Sequence, residues 1–173
     1  MTPASTTSQP PTTRPARAGD APAIAAIHNQ GIEERVATFE TEPRRPEEVA
    51  ARIEAGELIL VAERDGEVLG FVSVSPYSDR PAYAGVGEFT VYVERGARRL
   101  GVGGALMDAV AEAAEQRGLH KLTGRVFKTN SPSIELLHAR GYRDVGVHRR
   151  HAKVDGEWRD VLQIERLLGA AAS

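Results

Sequence analysis

"RRLGVGGAL", residues 98–106, sets three glycines within four positions, behind two arginines and ahead of an apolar run. That run continues at helical spacing. Val102, Leu106, Val110 and Ala113/Ala114 form one stripe, with Asp108, Glu112, Glu115 and Gln116 away from it, which predicts a helix over 102–117 ended by Gly118. Immediately upstream, VGEFTVYV (86–93) alternates as a strand does, with Phe89, Val91 and Val93 on one face and Glu88, Thr90 and Tyr92 on the other. Strand, glycine turn and helix in that order make a seat for an anion, because the first-turn amides and the positive end of the helix dipole point into the turn. Glycine in a helix costs about 1 kcal/mol relative to alanine. Three of them at one N-terminus predict that a ligand approaches the backbone there.

Several phosphate-binding motifs fail on residue type. A P-loop needs a Lys-Ser/Thr pair after its second glycine, and this turn has none. A dinucleotide fingerprint needs Gly or Ala where Leu106 stands, and an acid near the end of the next strand, KLTGRVF (121–127), which carries none. The carboxylate motifs that hold metal in a kinase are missing as well.

Working outward, a weakly marked strand is expected at 13–17, then a helix opened by Asp20 as N-cap with Pro22 in its first turn, broken or ended at Gly31. Residues 32–45 show neither period and read as a loop or short helix carrying Val36 and Phe39. Pro46 opens a second helix that stops before Gly56. LILVAER (58–64), Asp65-Gly66 and EVLGFVSVS (67–75) read as a hairpin with a two-residue turn. After strand 121–127, SPSIELLHAR (131–140) reads as a short helix with Ser131 as N-cap, and two final strands flank Asp155-Gly156. The order β-α-α-β-β-β-α-β-α-β-β implies a mixed α/β fold with a mostly antiparallel sheet rather than an alternating doubly wound one.

The 173 residues suit one domain, expected over 13–168, with a disordered Thr/Ser/Pro-rich tail over 1–12 and a short tail over 169–173. A net charge of −2 gives no global attraction to nucleic acid or to an anionic membrane, and neither partner is expected. There is no cysteine, which removes disulfides, thiolate metal sites and cysteine nucleophiles, and no spacing argues for a metal site. Without a signal-like N-terminus or an apolar run near membrane length, a cytoplasmic location is expected.

An arginine followed by x-x-G-x-G between a strong strand and a helix resembles the pyrophosphate loop of the GNAT acetyltransferases, and Arg98-x-x-Gly101-x-Gly103 fits it. The resemblance follows the element order from about 13 to 168. It implies a GNAT fold with a sheet splayed at an acetyl-CoA cleft. By that resemblance the backbone of Val91, Tyr92 and Val93 would bond the pantetheine arm. Residues 98–104 (Arg98, Arg99, Leu100, Gly101, Val102, Gly103 and Gly104) would hold the pyrophosphate. Asn130 would contact the cofactor arm, with Ser133 assisting.

Longer blocks, "IHNQGIEERVATFETEP" (27–43), "GEFTVYVERGARRLGVG" (87–103), "ELLHARGYRDVG" (135–146) and "GEWRDVL" (156–162), resemble the phosphinothricin and arsinothricin acetyltransferases within that family. Members of that group acetylate the α-amino group of glutamate-like amino acids with a tetrahedral side-chain acid, or of methionine sulfoximine and sulfone. They are commonly homodimers. Glu88, an acid in the middle of an apolar strand, matches the group's proposed base, needed because an α-ammonium must lose a proton before it attacks. His138 is the candidate acid or base. Asn29, Glu33, Phe39, Arg80 and Tyr83 are the candidate substrate contacts, Arg80 because a guanidinium suits a carboxylate or phosphinate. Tyr142 and the run His148–His151 are read as core and as a solvated strand end. The alternatives left open are another acceptor (an ordinary amino acid, a peptide N-terminus or a polyamine) and a non-catalytic acyl-CoA sensor.

Overall fold

The computed structural model describes residues 9–173, so most of the tail expected over 1–12 lies outside the described residues. In order come β1 (Thr12–Pro15), α1 (Ala21–Glu34), α2 (Pro46–Glu54), β2 (Leu58–Arg64), β3 (Glu67–Pro76), β4 (Val86–Val93), α3 (Val102–Gln116), β5 (Lys121–Phe127), α4 (Ser131–Ala139), β6 (Arg143–Val154) and β7 (Glu157–Leu167). This is the order expected from the sequence. The seven strands form one open sheet, β1-β2-β3-β4-β5-β7-β6, antiparallel except at β4–β5. No helix among the described residues is long and apolar enough to cross a membrane.

The sheet is covered on both faces. Leu58, Leu60 and Ala62 of β2 point to the α3 side, where Val102, Leu106, Met107 and Val110 complete the larger core. Ile59 and Val61 point to the other side, against Ile24 and Ile27 of α1 and Val49 of α2. A strand buried on both faces reads as an unbroken apolar run, which is what LILVA is. The Asp65-Gly66 turn has φ of 53° and 80°, both positive, as the tightest two-residue hairpins require.

β4 and β5 run parallel and pair over three rungs only: Val86 with Lys121, Gly87 with Leu122, and Glu88 with Thr123. Beyond Glu88 and Thr123 the strands part. Each stays bonded on its outer side, β4 to β3 and β5 to β7. At the parting point the Phe89 ring lies over Gly124 so closely that a Cβ there would come within 2.5 Å of it, and Tyr142 meets the same ring edge-on at 5.2 Å. Tyr142, at 4% exposure, is core as expected.

A segment without regular periodicity, 35–45, crosses the α1/α2 side of this gap. It is tied down by side chains rather than by secondary structure. Asn29 of α1 accepts from the Arg44 amide at 2.9 Å and donates to the Arg44 carbonyl at 3.1 Å. The Tyr92 hydroxyl donates to the Ala37 carbonyl, and Arg44 is paired with Glu40. His28, 1% exposed, sets Nε2 3.3 Å from Glu40 Oε2. Burial, with Arg44 adding to it, pulls His28 below its ordinary 6.5 in spite of Glu40.

Local readings that the structure corrects have physical causes. Asp20 does not cap α1 with its side chain; the carboxylate takes two hydrogen bonds from Arg14 and one from the Arg17 amide, tying β1 to the helix. Gly31 does not end α1. The helix runs on to Glu34, and the missing side chain makes room for the Tyr92 ring, 2.8 Å from where a Cβ would sit. Asn130, not Ser131, caps α4 by accepting from the Ser133 amide. β1 begins at Thr12, inside the expected tail, because Thr12 pairs with Glu63, and residues 169–172 form a 3-10 turn. The run His148–His151 is exposed, at a break in the β6–β7 ladder.

Gly124→Ala is expected to overpack the Phe89 ring and lower stability by about 1–3 kcal/mol, read as a fall in thermal midpoint. His28 yields a pH prediction. Its folded value lies below its unfolded one, so the unfolded chain binds the extra proton as pH falls through the ordinary 6.5. Stability is therefore complete above that pH and declines below it. Denaturant titrations at pH 7.5 and 5.5 should show a smaller acid loss in His28→Gln than in the parent chain.

Candidate active site

The parting of β4 and β5 opens a cleft of about 290 Å³. Its walls are β4 from Glu88 to Tyr92, β5 from Arg125 to Phe127, the 37–40 stretch of the crossing segment, and the start of α4. Among the described residues, the facing edges of the two strands beyond Glu88 and Thr123 have no β partner. Backbone donors and acceptors therefore line the gap, where an extended polar ligand can take up the ladder.

Glu88 stands at the crotch, on the last paired rung. One of its oxygens accepts from Arg125 Nη2 at 2.9 Å, and both side chains keep solvent access, 29% and 45%. Arg125 lies 5.9 Å above the Phe39 ring, and Phe39 in turn packs edge-on against Phe127 at 4.6 Å. Arg44 and Arg52 also reach the cleft, each held by a glutamate, Glu40 and Glu57. Three arginines against two acids, Glu88 and Glu40, leave the lining with an excess of positive charge, which favours an anionic ligand.

The glycine turn lies at the N-terminus of α3. Gly101 is its N-cap with φ of 80°, a left-handed conformation natural to glycine, and Arg99 before it has φ of 64°. No side chain caps this helix, so its first-turn amides are open to an anion. The other two glycines have a different reason. A Cβ on Gly104 would sit 2.1 Å from the Arg140 guanidinium, and one on Gly103 would sit 2.9 Å from Leu136. They let α4 lie against the start of α3, so close approach to a ligand is not the only constraint behind them. Arg98 is bound to Glu34 at 2.7 Å, while Leu100 is half exposed.

The other candidates divide by location. Val91, Tyr92, Asn130, Ser133 and Phe39 line the cleft; Val93 packs against the larger core and is not part of the lining. Asn29 is a structural tie to the crossing segment, and Glu33 pairs with Arg95 at 3.0 Å on the surface. Arg80 and Tyr83 lie on the exposed loop between β3 and β4, where Tyr83 packs on Tyr77; neither lines the cleft. His138 sits half exposed on α4, 2.7 Å from Asp144, also away from the cleft lining. Sequence reasoning passed over Arg125, although a charge in the middle of the apolar strand KLTGRVF is the same signal that drew attention to Glu88. Nothing in sequence spacing marks Arg44, Arg52 or His28, which come from other elements.

Comparison with known proteins agrees with this geometry. The model of the acetyltransferase (GNAT) family matches residues 24–142. A phosphinothricin N-acetyltransferase of Streptomyces viridochromogenes is 35% identical over 151 residues, 86% of this chain and 82% of that protein. An L-methionine sulfoximine/L-methionine sulfone acetyltransferase of Pseudomonas aeruginosa is 31% identical over 86% of this chain and 89% of its own. A crystal structure of a GNAT superfamily phosphinothricin acetyltransferase from Sinorhizobium meliloti, in complex with acetyl-CoA, superposes with a TM-score of 0.87 at 28% identity, covering 93% of this chain and 90% of that one. With its splayed sheet and open helix N-terminus, this chain belongs to the GNAT family of acetyltransferases.

Proposed function

We propose that the protein carries the acetyl group of acetyl-CoA to the α-amino group of a small glutamate-like amino acid bearing a tetrahedral acid, such as phosphinothricin, arsinothricin or methionine sulfoximine, and so detoxifies it. The observation that carries this reading is the cleft itself, where Glu88 meets Arg125 while Arg44 and Arg52 stand paired with Glu40 and Glu57; the start of α3, with no capping side chain, supplies free amides as well. The relatives named for phosphinothricin and methionine sulfoximine support the same acceptor class.

In this reading the first-turn amides of α3 and the backbone of residues 98–104 hold the pyrophosphate, and the unpaired edge of β4 at Val91–Val93 aligns the pantetheine arm. Asn130, already the cap of α4, keeps that helix in place beside the arm, with Ser133 next to it. Glu88 accepts a proton from the acceptor's ammonium, directly or through a water. The freed amine attacks the thioester carbonyl, backbone amides of β4 stabilise the oxyanion, and the thiolate leaves. No acyl-enzyme is needed. Phe39 forms the acceptor's apolar wall. Arg80 and Tyr83 belong to the acceptor site only if their loop, or the same loop of a second copy in a homodimer, reaches the cleft. His138 would need to leave Asp144 to deliver a proton to the thiolate. The location that fits this chemistry is the cytoplasm, where acetyl-CoA is made.

Initial rates of thiol release test the reading. Phosphinothricin, arsinothricin and methionine sulfoximine should be acetylated in preference to polyamines and to peptides with free N-termini; failure of all three while CoA still binds refutes it. Glu88→Gln should lower kcat about 10²- to 10⁴-fold with little change in KM for acetyl-CoA. Full activity in that variant removes Glu88 as the base.

A further inference from the structure

Among the described residues, Glu88 and Arg125 are the opposite charges that meet across the parting strands, one at the last rung of β4 and the other two residues past its partner rung on β5. The other cleft arginines are more fully committed. Arg44 gives Nε and Nη2 to Glu40 at 3.2 and 2.7 Å, and Arg52 gives Nε and Nη2 to Glu57 at 2.8 and 2.7 Å. Arg125 gives one nitrogen to one oxygen of Glu88. A guanidinium has a fork of N–H donors, so most of this one remains for a ligand. Its place over Phe39, itself packed on Phe127, restrains the plane of that fork. The second oxygen of Glu88 likewise has no hydrogen bond among the described residues.

A carboxylate acceptor and a guanidinium donor lying side by side are the complement of a zwitterion whose ammonium and carboxylate sit on one carbon. That is the head of a free α-amino acid. We infer that Arg125 binds the α-carboxylate of the acceptor while Glu88 takes its ammonium, so that this pair selects free α-amino acids. The half-exposed contact between the two holds loosely and can yield to the four-charge arrangement that the acceptor completes. A peptide N-terminus or a polyamine brings the ammonium without the carboxylate and leaves Arg125 unserved. The inference rests on the proposed acetyl transfer to an amino acid and adds a residue for the end of the acceptor that the tetrahedral acid does not occupy.

The test measures kcat and KM for the parent chain, Arg125→Gln and Arg125→Lys. The acceptors are phosphinothricin, its α-carboxamide, the matching amine without the carboxylate, and the ordinary amino acids glutamate and methionine. The parent should prefer phosphinothricin to the carboxamide and the amine. In Arg125→Gln that preference should shrink roughly 10- to 100-fold, mainly through KM of the acceptor, with KM for acetyl-CoA unmoved. Arg125→Lys should restore part of it. An unchanged preference in Arg125→Gln, or a parent indifferent to the α-carboxylate, overturns the inference and leaves the acceptor class standing. Glutamate or methionine acetylated ahead of phosphinothricin with the same Arg125 dependence upholds the inference and refutes the tetrahedral-acid acceptor. Acetylation of none of the α-amino acids overturns both.

Discussion

Everything functional in this molecule depends on a ladder that stops early. Three rungs join β4 to β5, and then two strands that are each well anchored on their outer sides separate. In the interior of a sheet, unpaired backbone edges are costly unless something bonds to them. Here they face an open cleft, and the energy forgone in the ladder becomes available to a ligand. Phe89 over Gly124 marks the point of separation, and the rung just before it presents Glu88. The opening and its central carboxylate are thus fixed by one piece of geometry.

The charge pattern around that opening follows from which elements reach it. α1 and α2 bring His28 and Arg52, the crossing segment brings Glu40 and Arg44, and β5 brings Arg125. Glutamates partly neutralise these cations in place, which keeps the cleft from being a simple anion trap. Net charge at the whole-chain level, only −2, contains no hint of this arrangement. Local field, not global charge, distinguishes one acceptor from another here.

The fold was largely legible because its signals are local. Period-two strands, the α3 stripe and the Asp-Gly turns each declare themselves within a few residues, and their order defines the architecture. Glu88 was legible for the same reason, as a charge inside an apolar strand. Features decided by distant partners were not. Asp20 looks like a cap until Arg14 from β1 claims it, and Gly31 looks like a stop until Tyr92 from β4 is seen against it. Gly103 and Gly104 have the composition of a ligand loop, but sequence cannot say whether the body approaching the backbone is a ligand or the protein's own α4. The crossing segment has no period because side-chain ties, not backbone repeats, hold it. Family resemblance transferred spacing, yet spacing alone did not say that Arg80, Tyr83 and His138 would stand outside the cleft lining.

The packing of α4 against the glycine turn divides the labour of the cleft. The proposed anion seat at the start of α3 is braced by Leu136 and Arg140, whereas the opposite wall hangs from α1, where Asn29 and His28 hold Arg44 and Glu40. Among the described residues the two supports share β4 and β5 and are joined directly by the Arg98–Glu34 pair, but no hydrogen bond or ion pair links residues 35–45 to the glycine turn or to α4. Residues 35–45 can therefore be rewritten, lengthened or exchanged without disturbing the seat, and α4 can be tuned without disturbing the crossing segment. A lineage built this way can change the compound it modifies while keeping its donor, and the sequence record of that history should be variation concentrated on one side of a single pair of strands.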